Sequence, residues 1–354
     1  MMWQPAQFGS IRLRNRLVMA PLTRTRANDD GAVTELIAEY YRQRATAGLI
    51  VSEGTWPTLQ GKSYLGQPGI ADTAHVDAWR QVTGAVHSAG GSIVLQLMHG
   101  GRVAHPAITR REVVAPSAVR PPGHVRTASG KQRFPVPEAM TRAAIAELPL
   151  MYAKSARRAI SAGFDGVELH AANGYLLHQF LAANTNLRGD EYGLEAGGGR
   201  RVVTEVAQAV VDEVGADRVG IRLSPGNNVQ GIDEDYQTAA DGCRSLALDL
   251  RPLGLAYISL VWARPGDSLS RDIGSAAQTS IVVNTGPATA TTREEARAVL
   301  DSGAADAVAV GRAFIANPDL ARRWAEGRVE NHPDQATFYV GGPRGYTDYG
   351  VLPG

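Results

Sequence analysis

Cysteine is almost missing from this sequence. Its 354 residues include a single one, Cys243. That excludes an intrachain disulfide and any metal cluster built on cysteines, and it fits a reducing, cytoplasmic setting. Long apolar runs are missing too. No stretch approaches the ~18 residues of a membrane-spanning helix, and the opening MMWQPAQFGSIRLRNR holds no signal-peptide core. Neither sign of charge is in excess: 36 basic residues face 35 acidic ones, for a formal net charge of +1. No basic block stands out, so charge gives no argument for a nucleic acid or a membrane surface as partner. No H-E-x-x-H or similar ligand spacing occurs, and no metal is expected. No G-x-G-x-x-G follows the first apolar run, which argues against an open dinucleotide-binding sheet. Internal repeats, low-complexity tracts and linkers are also lacking, so residues 1–354 read as one domain.

What is present is an alternation. Candidate strands are RLVMAPL (16–22), GLIVSEGT (48–55), SIVLQLMH (92–99), DGVELHA (165–171), RVGIRLSP (218–225), LAYISLV (255–261), SIVVNTG (280–286) and DAVAVGR (306–312). They are rich in β-branched residues and bounded by Gly, Pro or Asp. Helical patterns lie between them at 33–48, 75–90, 141–163, 200–215, 234–250, 292–303 and 317–327, with Thr34 and Thr141 as N-terminal caps and Pro149 inside the third. Residues 262–278 show no long helix. Eight strands alternating with helices predict a (β/α)8 TIM barrel with an N-terminal segment. Two insertions break the rhythm: residues 100–140, expected to form a lid after strand three, and the tail 328–354.

Alternate strand residues face opposite ways. Gln96, Glu168, His170 and Arg222 therefore share the inward, polar face, mostly near the C-terminal strand ends where barrel active sites sit. Thr23, Gly54 and Gly311 join them. Inward polar groups need partners: either a network closed on itself or a ligand. Gly286, Gly311 and Arg312 follow strands seven and eight, where barrels often hold phosphate. The stretch GVELHAANGYLLHQF (166–180) also admits a metal-dependent hydrolase built on Glu168, His170 and His178. Its spacing is unlike strong metal motifs, and His178 reads better as a packed helix residue.

These residues resemble a known family, the old yellow enzymes, which are flavin-dependent ene-reductases, and within it the bacterial N-ethylmaleimide, enone and nitrate-ester reductases. NRLVMAPLTRTRA (15–27), GLIVSEGT, VLQLMHGGR (94–102) and GFDGVELHAANGYLLHQFL (163–181) are similar to the family's first four strands. NLRGDEYG, RVGIRLSP, DAVAVGRAFIANPDL and FYVGGPRGYTDY (338–349) follow in order. The resemblance implies noncovalent FMN, with Pro21, Leu22, Thr23, Gly54 and Gln96 along the flavin. It also implies Arg222 beside N1 and O2, and Gly286, Gly311 and Arg312 at the phosphate. It implies that His170 and Asn173 donate to a substrate oxygen and that Tyr175 donates the proton. Tyr64, Met98 and Tyr339 would line the substrate pocket.

The implied cycle reduces FMN with NADPH or NADH, then passes hydride from flavin N5 to the β-carbon of an α,β-unsaturated carbonyl or nitro compound. Tyr175 protonates the α-carbon. A nitroaromatic or nitrate-ester reductase is the alternative within the class, and a non-catalytic flavin- or sugar-phosphate-binding barrel lies outside it. Partners would be small electrophilic substrates, and the chain would be a monomer or a homodimer. Departures from the family pattern are Met98 where a bulky aromatic is usual, YGLEAGGGRR in place of YGGS-x-ENR, a longer NTGPATATT loop and a different 260–280 connection.

Overall fold

Eight short parallel strands close into one barrel. They are β1 (Leu17–Met19), β2 (Leu49–Val51), β3 (Ile93–Leu97), β4 (Gly166–Ala171), β5 (Val219–Leu223), β6 (Tyr257–Val261), β7 (Ser280–Asn284) and β8 (Ala307–Val310). The ring shuts where β8 pairs with β1, Ala309 opposite Val18 and Val310 opposite Met19. The computed structural model describes every residue except 196, 263, 287–289 and 354.

The period-two pattern decides which side chains go where. Leu95, Leu97, Val167, Leu169, Val219, Ile221 and Leu223 point outward into the core shared with the helices. Val18, Val51, Val94, Tyr257 and Val282 point inward, where they meet Phe8, Ile11 and Leu13. Those three come from an antiparallel hairpin, Ala6–Phe8 with Ile11–Leu13. It plugs the end where the strands begin, as the 2.9 Å bond from Ser10 N to Asp217 O just before β5 shows. The opposite end stays open to polar side chains.

Helices occupy the expected intervals with three differences. The 141–163 pattern is two helices. Thr141 caps Arg142–Ala146, and Leu148–Ser161 starts afresh with Pro149 in its first turn, where a missing N–H costs no helix bond. The 317–327 pattern is preceded by a separate short helix, Arg312–Ala316, and itself narrows to Leu320–Glu326. Between β6 and β7 a nine-residue helix, Leu269–Ala277, fills the interval that showed no long one. Thr34 stands at the N-cap of Glu35–Gln43 but makes no side-chain cap bond. Among the described residues no helix is long and apolar enough to cross a membrane.

The 100–140 insertion is folded. It contains a hairpin, His124–Thr127 with Gly130–Arg133, and a two-residue pairing of Val114–Ala115 with Glu138–Ala139. Val103, Ile108, Val125 and Phe134 of this insertion pack in one cluster with Met98 and Tyr175. The tail is held by arginines that follow β1. Arg24 donates to Phe338 O (3.2 Å) and Gly345 O (2.8 Å), and Arg26 to Thr337 O (2.9 Å). Tyr346 stacks on Tyr40 with ring centroids 4.0 Å apart.

Candidate active site

The inward polar residues form two linked groups. Glu168 on β4 accepts from Gln96 Nε2 on β3 at 2.7 Å and from the Tyr257 hydroxyl on β6 at 3.0 Å. Arg222 on β5 donates to Ser259 Oγ at 2.9 Å and to Asn284 Oδ1 at 3.4 Å. Burial raises the Glu168 pKa, and the Arg222 charge works against that rise. Burial lowers the Arg222 pKa, opposed by Glu168. The guanidinium keeps one buried nitrogen, Nε, without a partner among the described residues.

His170 stands opposite Arg222 in the β4–β5 register. It is 3% exposed, and its Nδ1 has no partner among the described residues. Burial, then the adjacent Arg222 charge, holds its pKa well below the ordinary value, so the ring is neutral. Two residues in left-handed conformation follow, Asn173 (φ 53°) and Gly174 (φ 78°). The turn is forced: a Cβ on Gly174 would lie 3.0 Å from Gln230 Cβ and 3.1 Å from Val229 O. Asn tolerates φ > 0 better than most residues. The turn is then pinned from the segment after β5. Asn173 N donates to Ser224 Oγ at 2.7 Å, Asn227 Nδ2 donates to Asn173 Oδ1 at 2.9 Å, and Gln230 Nε2 donates to Asn173 O at 2.9 Å. With its side-chain oxygen occupied, Asn173 offers the pocket an N–H donor.

Tyr175 completes the group. Its ring centroid is 5.1 Å from that of His170, and its hydroxyl is 2.8 Å from the Tyr64 hydroxyl. Burial raises both phenol pKa values, so both keep their protons at neutral pH. Met98 packs beside them. A Cβ on Gly54 would lie 2.5 Å from Met98 Sδ, so the absent side chain there makes room for the methionine. Tyr339 is 66% exposed, at the rim.

A cavity of about 200 Å³ opens at the C-terminal strand ends. Of the expected cofactor residues, Pro21, Leu22, Arg222, Gly286, Gly311 and Arg312 line it, together with Asn173. Thr23, Gly54 and Gln96 lie outside that lining. Thr23 follows Leu22 directly and is half-buried, and Gln96 sits below, inside the barrel. The expected phosphate loop 284–291 falls partly on residues 287–289, outside those described.

Sequence reasoning missed Asn284, Ser259, Tyr257, Asn227 and Gln230. The first three are inward positions of β6 and β7 and could have been read from alternation in YISLV and SIVVN. The last two lie in a segment without periodicity and gave no signal. Two of the three residues of the metal alternative are used otherwise. Glu168 serves Gln96 and Tyr257, and His178 accepts from Gly174 N at 2.9 Å and faces Glu234 at 3.3 Å. Among the described residues no group of three His, Cys, Asp or Glu side chains could hold a metal ion.

The NADH:flavin oxidoreductase / NADH oxidase family matches residues 1–331. This chain is a member of the old yellow enzyme family. It is 41% identical over 362 residues to a probable flavin mononucleotide-dependent alkene reductase of Leishmania infantum, covering 98% of this chain and 96% of that one. The solved old yellow enzyme homologue of Zymomonas mobilis superposes with a TM-score of 0.94 at 40% identity, covering 99% of both chains. Morphinone reductase gives 0.93 at 38% identity, covering 99% of this chain and 96% of that one. The protein is an FMN-dependent oxidoreductase of the ene-reductase class.

The old yellow enzyme cofactor suits what stands at the cavity. A buried cation whose Nε has no partner among the described residues, and two glycines that line the cavity with Arg312, fit a flavin and its phosphate. At Gly311 a Cβ would already lie 3.3 Å from Leu22 Cδ2.

Proposed function

We propose that this protein reduces the activated C=C bond of α,β-unsaturated carbonyl or nitro compounds, using NADPH or NADH as reductant. FMN held at the cavity would supply the hydride. Pro21, Leu22, Thr23, Gly54 and Gln96 would contact its ring, Arg222 would neutralise charge at its pyrimidine end, and Gly286, Gly311 and Arg312 would hold its phosphate. Morphinone reductase, a similar protein, has been solved with tetrahydroNAD.

One observation supports the reading most: His170 at the end of β4 and Asn173 and Tyr175 on the turn after it gather in states suited to the chemistry. A neutral imidazole and an amide N–H can both donate to a carbonyl or nitro oxygen. Charge grows on that oxygen as the β-carbon takes hydride, so the two donors stabilise the transition state more than the bound substrate. Tyr175, kept protonated by burial, gives its proton to the α-carbon as general acid. Tyr64 holds the Tyr175 hydroxyl in place, while Met98 and Tyr339 bound the substrate. The 100–140 insertion acts as a lid that excludes water.

The purified protein should be yellow, with flavin bands near ~450 nm. NADPH or NADH should bleach them and cyclohexenone should restore them anaerobically. A bleached flavin that cyclohexenone leaves reduced would sink this reading.

A further inference from the structure

A second cavity, of about 400 Å³, lies outside the barrel wall beside the helix Leu176–Leu181. Its inner part is apolar. Ala171 and Leu223 come from the ends of β4 and β5, and Cys243 and Leu246 come from the helix Tyr236–Leu250. Its mouth is acidic. Asp233, Glu234 and Asp235 line it, and the arginine in the lining, Arg200, already pairs with Asp249 at 2.8 Å.

Glu234 is the most buried of the three acids, its side chain 10% exposed. Its carboxylate is held by two long contacts: His178 Nε2 at 3.3 Å on one oxygen and Gly226 N at 3.3 Å on the other. A carboxylate so placed has capacity for a stronger, charge-assisted donor. An apolar chamber with a carboxylate at its entrance suits a ligand with an apolar body and a cationic head. Burial of the body is driven by the hydrophobic effect, and the acidic mouth repels phosphates and carboxylates.

The cavity also touches the catalytic turn. His178 Nδ1 accepts from Gly174 N at 2.9 Å, so its Nε2 carries the proton and faces Glu234. Gly174 lies between Asn173 and Tyr175. A cation that takes over the Glu234 carboxylate removes the acceptor from His178, one hydrogen bond away from that turn. We propose that this cavity binds a small organic ammonium ion with an apolar body, and that Glu234 and His178 couple its occupancy to the Asn173–Tyr175 turn. The coupling rests on the catalytic reading given above; the binding does not.

The test uses the FMN-loaded protein and cyclohexylammonium, with cyclohexanol as the neutral probe of equal shape. Saturation-transfer NMR should show the cation bound, with cyclohexanol at least tenfold weaker. Glu234→Gln should weaken cation binding at least tenfold. A Cβ at Gly242 meets nothing within 4 Å, so Gly242→Trp should fill the cavity without a backbone clash and abolish binding. Binding that survives both substitutions, or equal binding of the two probes, overturns the site. Saturating cation should also slow reoxidation of the reduced flavin by cyclohexenone at least threefold, and do so in the parent protein but not in Glu234→Gln. An unchanged rate with the cation bound overturns the coupling alone. Loss of the ene-reductase reading would show differently, as no reoxidation by cyclohexenone with or without the cation.

Discussion

The Tyr64 and Tyr175 hydroxyls form a hydrogen-bonded pair, 2.8 Å apart, roofed by Met98, Val125 and Phe134. Both phenols are protonated at neutral pH, so each can restore the other's hydrogen. Tyr175→Phe should slow the enone half-reaction by ~10²-fold, the usual worth of a general acid. Reduction of the flavin by NADPH should change little. Tyr64→Phe should cost roughly fivefold, the loss of one neutral hydrogen bond. Stopped-flow measurement of both half-reactions checks this; equal loss in the two would remove Tyr175 as proton donor.

Asn227 fixes which end of the Asn173 amide meets the pocket. Asn227→Ala leaves Asn173 Oδ1 without a partner and lets the amide turn over. Phenol ligands, which need the N–H donor, should bind about tenfold more weakly, on the scale of one hydrogen bond to a charged or polarised oxygen. Titration of the flavin spectrum with a phenol reads the change, and unchanged affinity would show that the amide is fixed by other means.

Glu168 neutralises Arg222 inside the barrel while holding Gln96 and Tyr257. Glu168→Leu leaves a buried cation uncompensated and should lower stability by about 3–5 kcal/mol. Glu168→Gln removes the same charge but keeps a side-chain oxygen for Gln96 and Tyr257, and should cost less, about 1–3 kcal/mol. Urea denaturation of both variants against the parent provides the comparison; a Gln variant as stable as the parent would mean that the Arg222 charge finds another partner, and a Leu variant as stable as the Gln variant that the bonds to Gln96 and Tyr257 contribute nothing.

Burial pushes the Glu53 carboxyl up to about 7, opposed by the backbone N–H of Arg24 and the Arg24 charge. The folded value lies above the unfolded one, so the native state holds the extra proton between them. The stabilisation is therefore fully present below about pH 4.5 and is lost as pH rises through about 7, a change of about 3 kcal/mol. Glu53→Gln should remove that slope. The difference in unfolding free energy between parent and variant, followed from pH 4 to 8, isolates the group from the histidines. A flat difference would show that Glu53 ionises at an ordinary pKa.

His170 carries the opposite sign. Its folded value is depressed, so its contribution is present above the unfolded value of ~6.5 and is lost as pH falls below it. With the ring neutral, as the proposed mechanism needs, the enone half-reaction should show no inflection near ~6.5 that disappears in His170→Asn. Such an inflection would mean that the imidazole ionises during turnover.

Much of this was legible in the chain. The eight strands were readable because Val, Ile and Leu recur in short runs between Gly, Pro and Asp. The inward placing of Gln96, Glu168, His170 and Arg222 followed from alternation alone. The ends were less legible: β1 stops at Met19 because Pro21 removes a donor, although the apolar run continues to Leu22. Asn227 and Gln230 were invisible because they act from a loop, where position in sequence does not tell what a side chain touches. The use of His178 as an acceptor for Gly174 was hidden for a different reason. A buried histidine in a helix reads as packing until the turn opposite it is known.

The placement of Arg24 and Arg26 has a consequence for biosynthesis. These arginines follow the pocket-lining Pro21 and Leu22 within a few residues, yet their acceptors are the carbonyls of Thr337, Phe338 and Gly345. The wall made by one segment of the chain is thus braced by another 311 to 321 residues further on. The seam between β8 and β1 likewise waits on a distant segment, Ala307–Val310. A ribosome-held nascent chain ending before residue 307 should therefore not retain FMN, and the site should gain its cofactor only after the segment through Gly345 has emerged.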